Sequence, residues 1–261
     1  MPHEIFLAAV VPEPDVNKAR ALLGGFTEMR ERHQFTRIHH YQPQDPTIKG
    51  FPAIKELQKE RRPNTPQWQE LHQILLRQPS ILQVRIGITE EVQNAQTGSE
   101  PTATIPADTP RVLRWTELPD PPSQRIPPFI TQRKIVEISD QRVERILADN
   151  KFRLKSDLID ESYHWWLNDI EYDLTRTFVV SLKADPATSQ QVPSLASIEP
   201  ATDFWLLFVR SRVESTPERM QQIQTQLAQV REQLLGVFDF KVLDRRCHDS
   251  RLQEQRRQGL A

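Results

Sequence analysis

Cysteine is almost missing from this chain of 261 residues, which has one. That excludes an internal disulfide framework and any cysteine-rich zinc site. Glycine is scarce at seven residues, beside 21 prolines. Few positions therefore exist for phosphate-cradling loops, and neither a P-loop nor a dinucleotide fingerprint occurs. No serine sits in a G-x-S-x-G elbow. Charge of one sign is not in excess either: 34 Lys and Arg face 35 Asp and Glu, for a net −1. A global electrostatic case for nucleic-acid or membrane binding is thus absent. No apolar run approaches the roughly 20 residues of a membrane-spanning helix. Residues 5–11 are apolar but short and lack a basic flank, so they read as a strand rather than a signal peptide. These features predict a soluble protein of a reducing intracellular compartment.

Alternation of apolar and polar residues is the main positive signal. Residues 5–11 are apolar on both faces, as in a buried strand. A short helix follows, with a stripe of Val16, Ala19, Leu22 and Leu23 and a stop at Gly24-Gly25. Residues 34–41 are strand-like. Thr65 and Pro66 open a helix marked by Trp68, Leu71 and Leu75, which Pro79 stops. Leu82, Val84, Ile86 and Ile88 alternate with polar residues in a half-buried strand. Residues 112–116 and 130–138 read as strands, and Asp140 caps a helix carrying Val143, Ile146 and Leu147.

A long hairpin comes next, 151–167 and 170–182, joined by Asn168-Asp169, residue types that tolerate the left-handed turn conformation. On its second strand Ile170, Tyr172, Leu174, Phe178, Val180 and Leu182 share one parity, interrupted by Arg176. On the first, parity switches between Leu158 and Tyr163, as a β-bulge would cause. Residues 203–213 are apolar on both faces. Thr216-Pro217 start a last helix striped by Met220, Ile223, Leu227, Val230 and Leu234, Gly236 ends it, and a final strand is predicted over 237–243. The expected fold is mainly β with flanking helices (α+β): an antiparallel β-barrel forming a single domain over 1–244. Polar loops at 42–64, 89–110 and 184–202 interrupt it, and a polar tail occupies 245–261. The latter two loops lack apolar periodicity and are expected to be mobile.

Candidate chemistry is sparse. His39 and His40 are adjacent in a strand, point to opposite faces and cannot chelate one metal together; they read as rim or surface residues. Cys247-His248 lies in the tail, away from any pocket a catalytic thiolate needs. Residues 157–173 hold Asp157, Asp160, Glu161, Asp169, Glu171 and Asp173 with no Lys or Arg, for −6 with His164 neutral. Tyr163, Trp165, Trp166 and Tyr172 lie among them. This stretch is either a solvated outer face or an acidic, aromatic surface for a basic partner, with a metal at Glu171 and Asp173 a lesser alternative. Residues 241–261 carry six basic and three acidic residues, a +3 tail. The last helix suits a partner helix or, more simply, its own sheet.

Several segments together resemble the fungal Mediator subunit 18 family: His3-Glu4-Ile5-Phe6-Leu7, the stretch Leu22-Leu23-Gly24-Gly25-Phe26-Thr27-Glu28-Met29, and Arg37-Ile38-His39-His40-Tyr41. Arg114-Trp115 with Leu118-Pro119-Asp120 fits too, as does the order of elements from 130 to 182 and from 203 to 243. The resemblance implies a β-barrel without cofactor or catalytic residues, a subunit of the Mediator head module in the nucleus. It also implies pairing with Mediator subunit 20 and a C-terminal helix of subunit 8, and through them a link to RNA polymerase II. Two patches compete as the docking face. One is Phe204, Trp205, Leu207 and Val209; the other is Trp165, Trp166 and Tyr172 on the hairpin. The competing function is a triphosphate-tunnel phosphohydrolase such as an RNA triphosphatase. Its E-x-E-x-K pattern is missing, since Glu4 is followed by Phe6 and Ala8 on the same parity. Arg176 and Lys134 could point inward, but two cations without paired inward carboxylates do not build that site. Direct RNA or DNA binding is disfavoured by the neutral charge.

Overall fold

A computed structural model describes residues 2–45, 47–59, 63–77, 81–88, 102–106, 108–121, 126–180, 191–193, 195 and 198–242. Eight strands close into an antiparallel barrel: β1 (His3–Pro12), β2 (Arg32–Pro43), β3 (Leu82–Ile88), β5 (Arg111–Thr116), β6 (Thr131–Ser139), β7 (Phe152–Leu167), β8 (Ile170–Val180) and β10 (Phe204–Val213). Their order around the wall is β1-β10-β8-β7-β2-β3-β5-β6, and β6 closes on β1. The short strands β4 (Thr102–Thr104) and β9 (Gln191–Pro193) pair with each other. Among the described residues five α-helices accompany the sheet: α1 (Val16–Thr27), α2 (Ile54–Lys59), α3 (Thr65–Arg77), α4 (Val143–Asp149) and α5 (Pro217–Gln233).

The barrel is inside out relative to the usual apolar interior. Buried apolar side chains form two clusters, and both lie on the outer wall. Ile5, Leu7, Tyr172, Leu174, Leu207 and Val209 meet Leu23 of α1 and Ile223 and Leu227 of α5. Val84, Ile86, Leu113, Val136 and Ile138 meet Trp68 and Leu71 of α3 and Leu147 of α4. The lumen takes the alternate residues: Glu4, His40, Gln83, Arg85, Arg114, Arg133, Asp160, Asp173 and Arg210, with Phe6, Ile38, Leu158 and Phe208 among them. Helices that cover an outer wall must be matched by apolar outward residues, and the inward parity is left to polar groups.

The long hairpin turns at Asn168, whose φ of 55° is left-handed. Its bulge lies earlier than the sequence pattern suggests: β2 and β7 slip between His40 and Tyr41, skipping Lys155. Leu158 simply faces the lumen, so the parity switch before Tyr163 needs no extra residue. The predicted stop of α1 at Gly24-Gly25 is overrun to Thr27, where Glu28 (φ 52°) ends the helix. Phe26 packs edge-on against Tyr172 with ring centroids 5.8 Å apart, and that contact outweighs the glycines' weak helix propensity.

All three predicted loops hold more structure than their polarity suggests. Within 42–64, Phe51 is fully buried and α2 follows it. Gly50 is required there: its φ is +64°, and a Cβ would lie 2.6 Å from Nδ1 of His72, which accepts the N–H of Phe51. Residues 89–101 and 181–190 lie outside the described residues, but the remaining ends of the two loops meet in the β4–β9 pair. Ile105 and Val192 are buried beside it. The predicted strand over 237–243 is not formed across its described residues. Only the N–H of Lys241 reaches β1, at the carbonyl of Ala8 (3.0 Å) just beyond the end of the β6 ladder, while Phe238 and Phe240 are buried. The tail 245–261, with Cys247 and His248, lies outside the described residues.

Phe178 is buried in the outer cluster of β2, β3 and β5. Phe178→Ala is expected to cost about 3–5 kcal/mol in urea unfolding, whereas Lys18→Ala on the exposed face of α1 changes stability by less than about 0.5 kcal/mol. Equal unfolding midpoints for the two variants would refute the assigned register.

Candidate functional site

All eight barrel strands contribute to a lumenal cavity of about 210 Å³. At its centre is Glu4, fully buried on β1. One carboxylate oxygen accepts from Arg114 of β5 at 2.7 Å, the other from Nε of Arg133 on β6 at 2.7 Å, and Arg210 of β10 lies 3.8 Å away. Burial alone would raise this carboxyl, yet the guanidiniums of Arg114, Arg133 and Arg210 hold it well below the ordinary range. Arg210 also donates to Asp173 at 2.7 Å and Glu171 at 2.9 Å on β8. Asp160 of β7 accepts the hydroxyl of Thr177 at 2.7 Å and lies 3.8 Å from Arg85 of β3. Burial raises the Asp160 carboxyl, with Arg85 partly opposing it.

The sequence expectation for inward cations was misplaced. Arg176 shares the outer parity of Tyr172 and Leu174, where it donates to Glu161 and Glu13 at 3.1 Å each and stacks over Trp205. Lys134 is half-exposed and pairs with Glu117. Arg85, Arg114, Arg133 and Arg210 enter the lumen instead. Alternation on β3, β5, β6 and β10 was the available signal, but it cannot say which face is the inside.

The acidic hairpin is not a free anionic surface. Asp157 accepts from Arg37 at 2.9 Å, Glu161 pairs with His33 and Arg176, and Asp169 accepts from Arg219 at 2.7 Å. Glu171 and Asp173 do share a face, but Arg210 occupies both. Among the described residues no group of three or more His, Cys, Asp and Glu side chains is arranged to hold a metal. The histidine pair splits as expected but is not peripheral. His39 is buried on the outer side, 3.1 Å from Glu144, and His40 turns into the lumen, 2.8 Å from the hydroxyl of Ser156.

The proposed docking residues separate sharply. Trp205, Leu207, Val209, Trp165 and Tyr172 all belong to the outer cluster beneath α1 and α5, and each is at most 2% exposed. The apolar outer face of β10 is therefore covered by the chain's own helices, while Phe208 on its other face lines the lumen. Phe204 is half-buried at the end of β10. Trp166, stacked on His164, keeps 36% exposure.

A family model for the Med18 protein matches residues 3–251. The chain belongs to the Med18 protein family. No curated protein matches the sequence. Among solved structures it is similar to a chain of the Schizosaccharomyces pombe Mediator head module, with 14% identity and a TM-score of 0.62, covering 92% of this chain and 98% of that one. That likeness shows the family's barrel fold. It is also similar to the PH1819 protein of Pyrococcus horikoshii, with 9% identity and a TM-score of 0.49 over 96% and 99% of the two chains. A Hippeastrum protein with a dominant triphosphatase activity shares 9% identity at a TM-score of 0.42 over 93% and 98%. The last two are too distant to speak for this chain's activity.

Replacing Glu4 leaves its arginines facing one another without the shared anion, so Glu4→Gln is expected to destabilise by about 3–5 kcal/mol in denaturant unfolding. His40 supplies a pH signature. Burial pushes its pKa down to about 4 from 6.5, with Lys155 and Arg85 adding repulsion. The unfolded imidazole binds a proton below pH 6.5 and the folded one only near 4, so stability is lost as pH falls through that window. The loss amounts to about 2–3 kcal/mol by pH 4.5. Relative to wild type, His40→Gln is expected to flatten the urea midpoint between pH 7 and 4.5 by that amount; parallel profiles would show that His40 does not titrate as described.

Proposed function

We propose that this chain is a structural, non-catalytic subunit of the Mediator head module, acting in the nucleus. It pairs with Mediator subunit 20, takes up a C-terminal helix of subunit 8, and through them reaches RNA polymerase II. The observation that carries this reading is membership of the Med18 protein family across residues 3–251. The lumen is consistent with it. Glu4, Asp160 and Asp173 sit on three separate strands, each beside an arginine, and the carboxylates that share a strand and face, Glu171 and Asp173, are both taken by Arg210. With a net charge of −1 the chain has no general attraction for nucleic acid, so its contacts are with proteins.

The docking residue we propose is Trp166, by the hairpin turn. Phe204 also keeps accessible area, but it lies beyond Leu206 at the end of β10 away from Arg210, the residue level with Trp166, and so belongs to the opposite rim. A large aromatic at the edge of a ligand-free subunit is a residue type favoured at interface hot spots. Trp205, by contrast, has its indole N–H committed to Glu13 at 2.6 Å and its rings packed near Tyr163.

Co-expression with Mediator subunit 20 and the subunit 8 helix, followed by size-exclusion chromatography at micromolar concentration, is expected to yield one complex. Separate elution would overturn the assignment. Within the complex, Trp166→Ala is expected to weaken binding by at least about tenfold with an unchanged melting temperature, the loss typical of a hot-spot residue. Trp205→Ala is expected to lower the melting temperature of the isolated chain, since truncating a buried tryptophan costs about 3–5 kcal/mol.

A further inference from the structure

The lumen has a feature that a purely structural barrel does not need. Four guanidiniums, from Arg85, Arg114, Arg133 and Arg210, line the same cavity as three carboxylates, Glu4, Asp160 and Asp173. Glu171, on the same face of β8 as Asp173, is a fourth carboxylate, so the charges balance and the feature is one of unfilled donors rather than net charge. Glu4 accepts from Arg114 and Arg133, although Nε of Arg114 has no hydrogen-bond partner among the described residues, and Asp173 with Glu171 accepts from Arg210. Arg85 is different. Among the described residues its guanidinium makes no hydrogen bond, and its carboxylate partner Asp160 lies 3.8 Å away. Its side chain keeps 27% exposure although it lines the lumen, so the donors point into the cavity rather than into the wall. Arg114 and Arg210 crowd it closely enough to oppose its charge. Crowded cations with spare donors in a polar cavity form a receptor for an anion.

We propose that the barrel lumen binds a small phosphate-class oxyanion, with Arg85 as its principal donor and the Arg114, Arg133 and Arg210 guanidiniums around it. The chemistry selects this class. Donors approach from β3, β5, β6 and β10 on different sides of the cavity, which suits a tetrahedral group with several acceptor oxygens better than a planar carboxylate. Side chains of Gln83 of β3 and Thr116 of β5 add neutral polar groups to the lining. A volume of about 210 Å³ suits one to a few phosphoryl groups rather than a macromolecule. No bond is made or broken in this binding, and it is independent of the partner contacts proposed above.

The test uses the full chain, purified without phosphate or sulfate. Melting temperature and calorimetric affinity are measured with orthophosphate, pyrophosphate, inorganic triphosphate and ATP, and with acetate at matched ionic strength. At 100 times its Kd a ligand specific for the folded state is expected to raise the melting temperature by about 5–10 °C, and acetate is expected to leave it unchanged. Equal affinity for inorganic triphosphate and ATP would mean that only phosphoryl groups are read; tighter ATP binding would mean that a base-bearing source is preferred. Arg85→Gln is expected to weaken binding at least tenfold, and Arg145→Gln, on the exposed face of α4, to leave it unaltered. If Arg85→Gln fails to fold, Arg85→Lys, which keeps the charge but loses the fork, is expected to weaken binding at least threefold. Absence of a shift with every phosphoanion would overturn the proposal. So would a shift that survives substitution of Arg85, because the anion would then lie on the outer surface.

Discussion

The buried carboxylate of Glu4 is the constraint around which the barrel is arranged. It lies on the first strand and is held by guanidiniums from β5 and β6, with that of β10 within 3.8 Å. From β10 the network passes to β8 through Asp173 and Glu171, and across the lumen Arg85 faces Asp160 between β3 and β7. Seven of the eight strands are thereby tied by charge from within. An ion pair in a closed lumen is costly to desolvate and still more costly to leave half-made. The network therefore penalises any register in which β1, β5, β6 and β10 slip by one residue, since each slip turns a charge into the apolar outer shell.

An interior of ions demands an exterior of hydrocarbon. The sheet's apolar parity faces outward, so the helices are structural necessities: α1 and α5 cover one half of the wall, α3 and α4 the other. The result also decides which aromatics remain accessible. Trp205, Leu207, Val209, Trp165 and Tyr172 lie beneath those helices, whereas Trp166 passes beyond them at the hairpin tip.

Much of the fold was legible because strand alternation and cap residues are local. The Asn168 turn, the half-buried β3 and the Pro217 start of α5 all follow from a few neighbouring residues. What could not be read was non-local. Period-two alternation shows that one face of β8 is apolar, but Tyr172 and Leu174 look the same whether that face lines the interior or lies under a helix. On that ambiguity Arg176 and Lys134 could point inward, yet both sit outside. The acidic run from 157 to 173 looked like an exposed surface because its cations, Arg37, Arg85, Arg210 and Arg219, lie on other elements. The family likeness rested on the order of short motifs, and the match over residues 3–251 bears it out.

The account stands most directly on the coupling between Glu4 and its arginines, which a double-mutant cycle measures. Glu4→Leu, Arg133→Leu and the double variant would be unfolded in urea at pH 7. If the lumenal network holds the strands together, each single change removes one member of the Glu4–Arg133 pair and leaves the other buried and less compensated. The double variant is then less destabilised than the sum of the two by at least about 1.5 kcal/mol. Additivity within about 0.5 kcal/mol, the behaviour of exposed pairs, would contradict the ion-centred barrel described here.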